Sequence, residues 1–118
     1  MEFTNTYRPL NFTKPKIMSD QKIHLVRCAR EFLVLLKKYA LEDIEVEKIL
    51  GFFMPWYDKV MLGEIAPPCY EYKLSVYFTN PDISSVATKY GDQTGVRHEL
   101  NVAASNFWAA MYDRPYYD

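Results

Sequence analysis

The side chains able to do chemistry are few and scattered. There are two histidines, His24 and His98, and two cysteines, Cys28 and Cys69. Neither histidine is read as having a second histidine or a cysteine at ligand spacing, so no dedicated zinc site is expected. Cys28 falls inside a helical pattern, where a thiol serves as a small hydrophobe, and two cysteines are too few for a disulfide framework. His98-Glu99 would set a general base on a helix, yet no serine or cysteine stands beside it in a nucleophile setting, and both histidines read as surface or helix-end residues. The glycines at 51, 63, 91 and 95 form no phosphate-binding fingerprint. The run Gly91-Asp92-Gln93-Thr94-Gly95 lacks the Lys and following Ser/Thr of a Walker loop. Glu42, Asp43, Glu45 and Glu47 crowd one short stretch, but a calcium loop needs a central glycine and regularly spaced oxygens. Acids at a helix start are better explained by the dipole. The expectation is a protein with no catalytic residue, no metal and no cofactor.

What remains is gripping rather than reacting. Aromatic residues make up 16% of the chain, as ten Tyr, seven Phe and two Trp. Tyr57, Tyr70, Tyr72, Tyr77, Tyr112, Tyr116 and Tyr117 are numerous for so small a chain, and tyrosine gives contact area at little entropic cost. Net charge is -1, which hides an asymmetry. Residues 1–40 hold eight Lys/Arg against three Asp/Glu, whereas residues 41–118 hold six against twelve. A strongly basic nucleic-acid binder is disfavoured, and Arg27, Arg30, Lys37 and Lys38 are read as a solvated helix face. The acidic excess suits steering toward a basic partner. The candidate partner-binding residues are therefore Glu42, Asp43, Glu45, Glu47, Tyr57, Tyr70 and Tyr72.

These residues must be positioned by helices. Residues 1–18, with Pro9 and Pro15 and no sustained period, read as an extended arm that Phe3, Tyr7, Leu10 and Phe12 would pin to the body. Ser19 or Asp20 can cap a first helix whose Leu25, Ala29, Phe32, Leu36 and Tyr39, joined by Cys28 and Leu35, form a core stripe. A second helical stretch over 41–62 should break or kink at Pro55 and stop at Gly63 in a left-handed turn. Ala66-Pro67-Pro68 is a stiff connector. Residues 69–79 are ambiguous, because Tyr70, Tyr72, Leu74, Val76 and Phe78 alternate like a strand while Tyr70, Leu74, Tyr77 and Phe78 also sit at helical spacing. With no convincing partner strand, helix is preferred. Asn80-Pro81 opens a helix carrying Ile83, Val86, Ala87 and Tyr90. A last helix then carries Val96, Leu100, Ala103, Phe107 and Met111 and ends at Pro115.

One domain fits 118 residues. The expected architecture is all-α, a compact bundle of about five helices over 19–118 with an arm over 1–18; the alternative is α+β with 69–79 as a strand. No apolar run is long enough for a membrane span and no secretory pattern opens the chain, so residence in the cytoplasm is expected.

A compact, acidic, aromatic, mostly helical chain without catalytic residues resembles the small bacterial immunity proteins that neutralise toxins. The resemblance runs over roughly residues 20–113. It is carried by the helix over 21–39, the Trp56 to Gly63-Glu64 stretch before Pro67-Pro68, and the alanine-rich helix ending Asn106-Phe107-Trp108. It is one of general profile, with no diagnostic motif, and transfers no individual residue. What it implies is occlusion of a toxin's active site, here a basic toxin domain, without turnover. The other reading is a homo-oligomeric structural or adaptor protein, a homodimer in its simplest form, whose exposed aromatics are its own interface.

Overall fold

The computed structural model describes residues 20–114, and these form helices, turns and loops. The expected arm over 1–18 and the tail from Pro115 lie outside the described residues. Helix α1 spans Asp20–Ala40, α2 Ile44–Met61, α3 Val76–Thr79, α4 Val86–Lys89 and α5 His98–Met111. The all-α bundle of five helices is thus present, with α3 and α4 reduced to single turns.

Of the expected stripe of α1, Leu25, Cys28, Ala29, Phe32, Leu36 and Tyr39 are its buried face, while Leu35 at its margin is half-buried. Helix α2 packs on one side of it and α5 on another. The end of α1 meets the start of α5 through Lys38 and Tyr39, which both reach Glu99, so these two helices run antiparallel. Phe32 sits at the centre. Its ring lies 4.8 Å from Phe53 of α2, 5.7 Å from Phe78 of α3 and 6.0 Å from Phe107 of α5. Such pairs add about 0.5–1.5 kcal/mol each beyond the area they bury.

Of the two outcomes expected at Pro55, the break does not occur: helix α2 is continuous through it. The proline ring crowds the carbonyl four residues back, which belongs to Gly51. Both residues lie on the exposed side of α2, and even an added Cβ at Gly51 would meet nothing within 4 Å. On an exposed helix side a carbonyl that loses its helix partner is satisfied by water, so the helix tolerates the proline. Its stop is as expected: Gly63 has φ 74°, its N–H reaches Val60 O at 3.1 Å, and Glu64 N–H reaches Lys59 O at 2.9 Å. That pair of bonds satisfies the last carbonyls of the helix.

Residues 69–79 are neither a strand nor one helix. Their backbone groups find partners on the end of α5 instead of a neighbouring strand. Cys69 N–H donates to Met111 O at 2.7 Å, and the Tyr112 hydroxyl donates to Tyr72 O at 2.7 Å. The helix expected from Asn80-Pro81 also fails to run. The Asn80 side chain accepts from Asp82 N–H at 2.9 Å, closing a local turn, and the Ser84 hydroxyl accepts from Val86 N–H at 3.1 Å and restarts the chain as α4. Short polar side chains here compete with the backbone ladder, and Ile83 is left exposed. Helix α5 starts at His98 rather than Val96, which is exposed. It ends at Met111, ahead of Pro115, which lies outside the described residues. Asp113 takes φ 56°, its N–H reaches Ala110 O at 3.3 Å, and Arg114 N–H reaches Ala109 O at 2.8 Å, the same closure that Gly63 gives α2.

Candidate functional site

Three of the four acids expected to face a partner are engaged by groups of the same chain, Asp43 buried and Glu42 and Glu45 at the surface. Asp43 caps α2 by accepting from Glu45 N–H at 3.0 Å. Its other oxygen takes Lys89 at 2.8 Å and the Tyr90 hydroxyl at 3.0 Å. Burial alone would raise the Asp43 carboxyl, but the hydrogen bonds from Lys89, Tyr90 and Glu45 outweigh it and hold it below the ordinary value. Glu42 pairs with Arg97 at 2.7 Å. Glu45 accepts from Ser85 N–H at 3.1 Å and from the Ser85 hydroxyl. Glu47 alone of the four stands exposed with no ion-pair partner among the described residues. The cluster is a tie between the start of α2 and the chain around α4 and α5.

A second tie mirrors it. Glu99 accepts from Lys38 at 2.8 Å and from the Tyr39 hydroxyl at 2.6 Å, which hold its carboxyl below the ordinary value. The rings of Tyr39 and Tyr90 meet edge to face at 5.4 Å. Each carboxylate is therefore gripped by a Lys-Tyr dipeptide, Lys38-Tyr39 on Glu99 and Lys89-Tyr90 on Asp43. The repeated dipeptide was visible in the sequence; its carboxylate partners, 47 and 60 residues away from the two tyrosines, were not.

The three candidate tyrosines separate. Tyr72 is 1% exposed and belongs to the core, between Trp56 at 5.5 Å and Phe107 at 5.1 Å; it is removed from the partner-binding set. Tyr57 is half-buried against Phe53 at 6.0 Å. Tyr70, 56% exposed, stands against Tyr112 at 5.2 Å and is available to a partner.

Cys28 and His24 correct the reading of their spacing. Four residues apart on α1, they share a face, and the Cys28 thiol contacts His24 Nε2 at 3.5 Å. Burial first, then Glu31, pushes the thiol up to about 11, so it stays protonated and is no activated nucleophile. The buried, helix-interior role expected of Cys28 is the one it has. No group of three or more metal-ligating side chains occurs among the described residues.

The free surface lies elsewhere. An open groove of about 760 Å³ runs between α1 and α5. Val34, Leu35, Val102 and Ala103 line it, with Arg30 and Glu31 from α1 and His98 and Asn106 from α5 also bordering it. Val34 is 64% exposed and Val102 39%. Neither valine was singled out from the sequence. Val34 lies opposite the core stripe of α1, a position that periodicity assigns to solvent.

No protein-family model, no curated protein and no solved structure matches this chain.

Proposed function

We propose that the chain is a non-catalytic protein-binding module that acts by forming a stoichiometric complex. Its most concrete form is an immunity protein of the cytoplasm of a bacterium, which neutralises a toxin by covering the toxin's active site. The observation that carries the reading is the α1/α5 groove, which presents exposed valines beside half-buried Leu35 and buried Ala103 between charged and polar borders. An apolar centre with a polar rim is the anatomy of a protein interface. Tyr70 and Tyr112, at the far end of α5 from the start of that groove, add aromatic contact area of the type that anchors interfaces. The protonated Cys28 thiol and the engagement of Asp43 and Glu99 within the fold leave these groups to structural work. Among the described residues no helix is long and apolar enough to cross a membrane.

The test is capture of the partner from the source organism, followed by mass measurement of the purified complex and titration of the partner's activity. The expected result is a defined complex with loss of the partner's activity complete at one equivalent of chain. Continued loss at substoichiometric amounts would indicate turnover and would contradict the reading.

A further inference from the structure

We draw no further inference here: the strongest candidate, the apolar groove between α1 and α5, is lined by Arg30 against Glu31 and Glu99, so its charges select no occupant and nothing in the structure shows what covers it.

Discussion

Asp43 does three things with one carboxylate: it caps α2, pairs with Lys89 and receives the Tyr90 hydroxyl. Asp43→Asn keeps a capping oxygen but removes the charge that Lys89 and Tyr90 address. A loss of about 1–2 kcal/mol at neutral pH is expected, since hydrogen bonds to a charged group exceed neutral ones. Because the folded carboxyl is held below its ordinary value, this stabilisation is complete above the unfolded value of about 3.9 and is lost as pH falls through the lower folded value. Urea melts at pH 7 and pH 2.5 should show the gap between parent and variant closing; a constant gap would mean that the charge does not matter. Tyr72→Ala, which opens a cavity beside Phe107 and Trp56, should cost about 3–5 kcal/mol. The sequence could not separate Tyr72 from Tyr70. Both sit in one alternating run, both carbonyls lie within reach of the Tyr112 hydroxyl, and only the packing of the Tyr72 ring against Trp56 and Phe107 turns it inward.

At the scale of elements, helices that bury a broad stripe were legible, and short ones were not. Helix α1 follows its periodicity because six core residues fix its rotation. Between 69 and 90 the periodic signal is overridden by local polar bonds at Asn80 and Ser84 and by docking on α5, neither of which leaves a hydrophobic period. Helix ends depend on backbone torsion, which glycine advertises and aspartate does not; Gly63 was readable as a stop and Asp113 was not. Gly63→Ala should cost about 1–2 kcal/mol, because its φ of 74° is unfavourable for a residue with a Cβ. Asp113→Val should lose a similar amount at φ 56°, whereas Asp113→Gly should be neutral or slightly stabilising. Chemical melts of the three variants check this. Equal stability of Asp113→Val and Asp113→Gly would show that the left-handed closure does not operate.

Across the whole molecule, engaged and free surfaces are distributed differently from what composition suggests. The halves carry opposite charge, and the acids at the start of α2 look like a steering field in sequence. In three dimensions Glu42, Asp43 and Glu45 bind the α4–α5 side of the same chain, a pairing across 40 or more residues that no local pattern carries. The groove was hidden for the complementary reason. Val34 and Val102 are ordinary surface valines until α1 and α5 are set side by side. The measurement that bears most directly on this division is hydrogen exchange of the chain alone and in complex with its captured partner. Binding should slow exchange over residues 30–35 and 98–106 and leave residues 42–47 unchanged. Slowed exchange at 42–47 with none along the groove would contradict it.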